Sequence, residues 1–265
     1  MIDFEEGRIS VRLSEGTYYL LQRDIAKFCF VSNDGSYNEN GFYNTVLPSL
    51  HENRLSERFA LRKILEKRFA NKVKPEFKEE LFCEMDDVFN IVQFEDKGTK
   101  YHQAKIDIRL SKENMKKFSG VFSLLKTQEI PKSAYIRNLL NQYTAMRIDE
   151  REYLCYKREY EDLMQVVNEG LWLEYKTGQI VEDIFVMDVD LCCYDNEFYV
   201  VGIVFDEGKT LLKSYRLCEF KQYKIKHNKD EIAESLLIEA NEAISNFCYY
   251  KNSVYHLRGY VDEIV

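Results

Sequence analysis

The chain has 265 residues, of which 45% are hydrophobic and 31% charged, which excludes wholesale disorder and leaves room for two modest domains. The first residues are acidic and polar, unlike a signal peptide, and no apolar run approaches the ~18 residues that span a bilayer. The seven cysteines include no Cys-x-x-Cys pair. We therefore expect a cytoplasmic protein with reduced cysteines, no membrane contact, no cofactor and no metal site.

The first predicted element is a strand at the beginning of the chain. Residues 9–15, Ile-Ser-Val-Arg-Leu-Ser-Glu, alternate apolar and polar side chains, so Ser10 and Arg12 face outward from a half-buried strand. Ser14 is a good helix N-cap, and apolar residues follow at helical spacing up to Phe28. A second helix is predicted from Phe42 to about Glu52, with a kink at Pro48.

The segment between residues 59 and 100 is predicted to be a helical insert. Two apolar patterns of helical spacing, separated by Pro75, indicate two helices. No chemistry is visible in them, and we expect them to brace the remainder of the module.

The stretch from residue 101 to 148 repeats the pattern of the first 58 residues. Residues 106–112 read Ile-Asp-Ile-Arg-Leu-Ser-Lys, which places Lys105, Asp107 and Arg109 outward and makes Ser111 the N-cap. Two helices follow, the second beginning near Ser133. Strand, helix, turn and helix, with Arg-Leu-Ser at the strand end, resembles the ribbon–helix–helix family in two copies, 1–58 and 101–148.

This resemblance implies a two-stranded ribbon, formed within one chain or between two chains of a homodimer. In the family the ribbon enters the DNA major groove and second-helix N-termini meet phosphates. The implied nucleic-acid contacts are Arg12, Lys105 and Arg109, with Lys132 and Ser133 near a phosphate. Alternatively, these are solvent-facing residues of a dimerisation ribbon, since Asp107 is unfavourable beside a phosphate.

The charge distribution singles out the second copy. The net charge is −8, but residues 97–158 carry 14 basic and 6 acidic side chains. Acidic segments flank this basic stretch on both sides. It is either a polyanion-binding face or an ordinary solvated helical surface.

The segment from residue 149 to 227 changes from a helix to strands. The helix is predicted to end at Gly170, and short strands with tight turns follow, which indicates a small antiparallel sheet or barrel. Leu173-Glu174-Tyr175 with Gly178, Phe198-Tyr199-Val200 and Lys213 to Leu217 together resemble the WYL family. The fold class is therefore α+β, with a ribbon–helix–helix module and an Sm-like or SH3-like barrel.

The WYL resemblance implies a ligand pocket, and its candidate residues are Tyr175, Tyr199, Lys213, Ser214 and Arg216. An arginine among aromatic rings suits a phosphate and a stacked base. Alternatively, the tyrosines are core residues and Arg216 pairs with a local carboxylate. Glu219 stands where relatives often have another arginine. Residues 228–265 are predicted to form a C-terminal helix and tail.

No catalytic signature accompanies these modules, so we expect a protein that is not an enzyme. The favoured hypothesis is an accessory protein that binds single-stranded RNA and modulates an RNA-guided RNase, because the module order resembles WYL accessory proteins of type VI-D CRISPR systems. The alternative is a ligand-responsive, DNA-binding transcription regulator. A pure dimerisation scaffold is the third hypothesis, if neighbouring acids neutralise the basic stretch.

Overall fold

A computed structural model describes residues 8–32, 34–69, 103–177, 180–192, 194–220, 222–227, 232–246 and 254–258. The chain divides into two compact units, Met1–Met146 and Arg147–Val265. The mixed α+β class with antiparallel sheets is as predicted. Within the described residues no helix is both long and apolar enough to cross a membrane.

The described residues of unit 1 form two strands and four helices. In chain order they are β1 (Arg8–Ser14), α1 (Glu15–Lys27), α2 (Glu39–Phe69), β2 (Gln103–Arg109), α3 (Lys112–Thr127) and α4 (Lys132–Ala145). Residues 70–100 of the predicted insert lie outside the described residues. α2 extends beyond residue 58, the predicted end of the first copy, and so includes the beginning of the predicted insert.

β1 and β2 form an antiparallel two-stranded ribbon within the chain. The apolar residues predicted to face inward pair across the two strands, Ile9 with Ile108 and Val11 with Ile106. All four of these side chains are buried, and so is Leu13. Pairing within one chain answers the question that the sequence left open.

Both predicted serine caps are present. Ser14 Oγ accepts a hydrogen bond from the Thr17 amide at 3.1 Å, and Ser111 Oγ accepts one from the Asn114 amide at 3.2 Å. Each cap satisfies a backbone donor that the first helical turn would otherwise leave without a partner. The strand-to-helix junction is thus built in the same way in both copies.

The second helix of each copy holds the strand end of the other copy. On α2, Asn40 Oδ1 accepts a bond from the Arg109 amide at 3.1 Å. On α4, Arg137 Nε donates to the Arg12 carbonyl at 2.7 Å. These exchanged contacts make the two copies one structural unit rather than two neighbouring ones.

α2 is longer than predicted, because it begins at Glu39 and continues beyond Glu52 to Phe69, with Pro48 inside it. A proline inside a helix leaves the carbonyl four residues earlier without its helical donor. That carbonyl belongs to Asn44, and here it accepts a hydrogen bond from Asn114 Nδ2 at 2.8 Å. A side chain of the other copy therefore replaces the missing helical bond.

A buried histidine lies between the helices of unit 1. His51 is 4% exposed, its Nδ1 lies 2.6 Å from the Tyr135 hydroxyl oxygen, and its ring packs 4.7 Å from that of Phe118. Burial, and to a lesser extent the charge of Arg54, lowers the pKa of His51 from its ordinary value of 6.5.

This lowered pKa gives a pH-dependence prediction. Below about pH 6.5 the unfolded chain takes up a proton at His51 that the folded chain resists, so the free energy of unfolding falls as pH falls. In urea titrations at pH 7.5, 6.5 and 5.5, His51→Gln is expected to lose less stability than the wild type. Parallel losses in the two proteins would contradict the prediction, since all other titrating groups are shared.

Unit 2 consists of a helix, a sheet and a second helix. Its elements are α5 (Ile148–Glu169), β3 (Trp172–Thr177), β4 (Ile180–Leu191), β5 (Phe198–Asp206), β6 (Lys209–Arg216), a 3₁₀ turn (Leu217–Glu219), β7 (Tyr223–Lys226), α6 (Glu234–Asn246) and β8 (Val254–Leu257). Gly170, with φ of 61°, ends α5 as predicted. α6 packs on the sheet through Ala240, against Val201, Ile203 and Leu212.

The six strands form an open antiparallel sheet in the order β7-β3-β4-β5-β6-β8. The Sm-like or SH3-like barrel that we predicted is not closed, because β7 and β8 stand at opposite ends of this order among the residues described. β8 comes from beyond the region assigned to the barrel and pairs along β6. It therefore occupies the edge of β6 that would have to be free for another strand to close the barrel.

Gly202 lies at the crowded centre of this sheet. A Cβ there would stand 2.4 Å from the Ile184 Cγ2 and 2.7 Å from the Phe185 carbonyl oxygen, and a backbone atom cannot move cheaply. Gly202→Ala is expected to destabilise unit 2 by about 2 kcal/mol, measured by denaturation followed through Trp172 fluorescence. Gly120→Ala, whose added carbon meets nothing within 4 Å, is the control, and equal losses would contradict the prediction.

Candidate nucleic-acid interface

The alternation of β1 and β2 leaves one face of the ribbon pointing away from the core. Because Ile9, Val11 and Leu13 of β1 and Ile106 and Ile108 of β2 are buried, the residues that alternate with them lie on the opposite face. We call this the outer ribbon face, and it consists of Arg8, Ser10, Arg12, Lys105, Asp107 and Arg109.

The register arranges the outer ribbon face as three cross-strand pairs. Arg8 is opposite Arg109 at one end, and Arg12 is opposite Lys105 at the other. Two pairs of cations thus flank a centre where Ser10 is opposite Asp107. Like charges directly opposite one another disfavour the ribbon, which indicates that the arrangement serves something other than stability.

Asp107 is the single acid of this face, and its side chain is held by hydrogen bonds. Its carboxylate accepts hydrogen bonds from Ser10 Oγ and, at 2.7 Å, from Arg8 Nη2, and Lys105 Nζ lies 4.0 Å away. The bonds from Ser10 and Arg8 hold the pKa of Asp107 below its ordinary value. Asp107 is therefore ionised at neutral pH.

The cations themselves remain open to solvent. The side chains of Arg8 and Lys105 are 56% and 61% exposed, and Arg12 and Arg109 are also exposed. Within the part of the chain that the structure describes, no carboxylate lies within ion-pair distance of Arg12 or Arg109. With four cations and one acid, the face has a net positive charge suited to a polyanion.

Side chains of the second helices, α2 and α4, hold the strand backbone that carries two of these cations. Arg12 and Arg109 have their main-chain groups bound by Arg137 and Asn40, as described above, and Asn44 Nδ2 also donates to the Arg109 carbonyl at 2.8 Å. The side chains therefore project from a rigid platform. Such a platform lowers the ordering cost of binding.

Three predicted contact residues, Arg12, Lys105 and Arg109, thus lie together on this face, whereas Lys132 and Ser133 lie elsewhere. The latter two begin α4, whose N-cap Pro131 supplies no side-chain cap. Lys132 Nζ stands 5.2 Å above the ring of Phe122, so its ammonium makes a cation–π contact.

Sequence reasoning missed Arg8. Arg8 stands two residues before Ser10, so the alternating pattern of the first strand gives Arg8 the same outward orientation as Ser10 and Arg12. Only the register reveals that it faces Arg109 and binds Asp107.

The five predicted pocket residues of unit 2 are not brought together. Tyr199 is opposite Arg216 and Val201 is opposite Ser214, so Tyr199, Ser214 and Arg216 share one face of the sheet. Lys213, next to Ser214 in the strand, points to the other face, towards Glu182. Tyr175, opposite Glu182 in register, also belongs to that face.

The polar groups of the predicted pocket are engaged within the sheet. Lys213 Nζ lies 2.7 Å from Glu182 Oε1, and Arg216 Nη2 lies 2.5 Å from Glu197 Oε2. Both tyrosines are 2% exposed. These observations favour the alternative stated from the sequence, in which the tyrosines are core and Arg216 pairs with a local carboxylate. The five residues do not share one face of the described sheet, and a WYL ligand site stays a prediction.

No group of three histidine, cysteine or acidic side chains suited to a metal ion is found among the described residues. Among the described residues, Cys29, Cys155, Cys192 and Cys218 form no disulfide bond.

No family model matches the chain, and no curated protein matches it. A solved structure described as "Crystal structure of a CRISPR Cas-related protein" is similar, with a TM-score of 0.57 and 12% sequence identity. The similarity covers 84% of this chain and 64% of that one, so this chain corresponds to less than two thirds of that protein. At this identity the likeness demonstrates a shared fold.

Proposed function

We propose that the chain is a non-enzymatic nucleic-acid-binding protein that contacts its ligand through the outer ribbon face. The observation that carries the proposal is the grouping of Arg8, Arg12, Lys105 and Arg109 on one exposed, rigid face around a single acid. Each cation placed against a phosphate releases a condensed counterion, which supplies binding free energy without sequence preference.

The geometry favours duplex DNA over a single strand. A two-stranded ribbon fits the major groove, which is about 12 Å wide. Single-strand binding depends on aromatic rings on which bases stack, and the six residues of the outer ribbon face include none. Lys132 and Ser133, at the start of α4, are proposed as contacts to a neighbouring phosphate.

Unit 1 is proposed to be a ribbon–helix–helix module whose two halves come from one chain. Support comes from the serine-capped strand-to-helix junctions and from the reciprocal contacts of Asn40 and Arg137. For unit 2, the order of α5 and the strands supports a relation to the WYL family, without the closed barrel. Because the ribbon is complete within one chain, the proposal does not require a homodimer.

The second candidate function is that of a CRISPR accessory protein that binds single-stranded RNA and assists an RNA-guided RNase. It is supported by the similarity to a solved structure described as a CRISPR Cas-related protein, together with the resemblance in module order. In this case the contact would use surfaces other than the aromatic-free outer ribbon face.

The test is a parallel titration of random duplex DNA and single-stranded RNA of equal length at ~50 and ~200 mM salt. The proposal expects duplex binding that weakens steeply as salt rises. Binding of single-stranded RNA alone would favour the second candidate, and binding of neither at ~50 mM salt would refute both.

A further inference from the structure

The two strands of the outer ribbon face differ chemically. One strand presents Arg8, Ser10 and Arg12, and the other presents Lys105, Asp107 and Arg109. Rotation of the ribbon by half a turn exchanges Ser10 with Asp107 and Arg8 with Lys105, so the face has no chemical twofold symmetry. A ribbon made from two identical strands would have such symmetry and would suit a palindromic sequence.

The centre of the face differs from both ends in the groups that it can bind. Asp107 is ionised, so it only accepts hydrogen bonds, and its two oxygens offer about four lone-pair sites. Ser10 and Arg8 bind from within the ribbon, which leaves acceptor capacity towards solvent. In the major groove, the hydrogen-bond donors are the amino groups of cytosine and adenine, whereas guanine presents acceptors.

The two ends of the face carry the opposite preference. Arginine and lysine donate to the O6 and N7 acceptors of guanine. Arg8 and Arg12 are four residues apart on a strand, which is about 13 Å, or close to four base-pair steps. The two cation pairs thus reach bases or phosphates on either side of the step that faces Asp107.

We propose that one chain recognises a non-palindromic duplex sequence, and that Asp107 is the specificity-determining residue that selects an amino-bearing base at its centre. The inference rests on the proposed function, since it requires that the outer ribbon face enter a major groove. Ser10 and Arg8 act as positioning residues that hold the carboxylate.

The experiment selects duplexes from a library randomised over about ten base pairs. It uses the full chain, Asp107→Asn and a matched control, Asp34→Asn. Asp34 is an exposed, ionised acid in the segment between α1 and α2, so its replacement removes the same charge away from the ribbon. Thermal unfolding and circular dichroism establish that both variants fold, and equilibrium titrations follow with the selected duplex and central-base substitutions.

The wild type and Asp34→Asn are expected to enrich an asymmetric motif and to prefer cytosine or adenine over guanine at its centre by roughly tenfold or more. Asp107→Asn is expected to bind random duplex at least as tightly, with that central preference reduced several-fold. A palindromic motif, or a central preference unchanged in Asp107→Asn, would overturn this inference while leaving duplex binding intact. Failure of every duplex to bind would overturn the duplex form of the proposed function itself.

Discussion

Replacing Arg12, Lys105 and Arg109 together with alanine is expected to lower affinity for duplex DNA about 10²- to 10³-fold at low salt. The three cations stand on one face, so a groove-bound ligand loses all three contacts at once. Each phosphate contact contributes about 0.9 to the slope of log K against log salt concentration, so the slope should fall by about 2 to 3. Titrations at several salt concentrations measure both quantities.

The matched control removes three exposed lysines from unit 2, Lys176, Lys209 and Lys224. The change in net charge is the same, so a loss of affinity that comes only from net charge would be equal in the two variants. Equal losses, or unchanged binding in the ribbon variant, would refute the assignment of the outer ribbon face. The ribbon variant should fold normally, because exposed cations contribute little to stability.

Asn44→Ala is expected to destabilise unit 1 by about 3 kcal/mol. The Asn44 side chain donates to the Arg109 carbonyl at 2.8 Å, accepts from the Ser111 amide at 2.7 Å and accepts from Asn114 Nδ2 at 2.9 Å. Asn114 is 8% exposed, so water cannot fully replace the lost partner. Hydrogen–deuterium exchange in peptides covering β1 and β2, together with denaturant titration, measures the loss.

Asn141→Ala is the matched control for this prediction. Asn44 and Asn141 each lie 30 residues after their cap serine, so they hold equivalent positions in the two copies. Asn141 is exposed, and the Thr17 hydroxyl donates to its Oδ1 at 3.3 Å. A loss below about 1 kcal/mol is expected there, and equal losses at both sites would show that the cross-copy bond network is not what stabilises the ribbon.

Local chemistry made much of unit 1 predictable. The period-2 pattern identified both strands and the outward positions of Arg12, Lys105 and Arg109, because a buried strand face allows only one assignment. Ser14 and Ser111 were recognisable as caps because serine oxygen competes well for the first amides of a helix. Three of the four cations of the outer ribbon face were therefore identified before the register was known, whereas Arg8 was not.

Features that depend on distant partners were not predictable. Pro48 was expected to disturb a short helix, but Asn114, distant in sequence, binds the carbonyl that the proline leaves free. The separation of the predicted pocket residues in unit 2 has a local cause as well as a distant one. Lys213 and Ser214 are neighbours in sequence, yet strand alternation sends them to opposite faces, where Glu182 engages Lys213.

The ribbon also has a consequence for the order of folding. Ser10 and Asp107, which meet at its centre, are 97 residues apart in the chain. At a synthesis rate of about 5 to 20 residues per second, β1 waits roughly 5 to 20 s for its partner. During that interval Ile9, Val11 and Leu13 lack the strand that pairs with them and the core that covers them. The first half of unit 1 is thus exposed to aggregation until β2 emerges, and its long-range pairing makes it the slow-folding part of the chain.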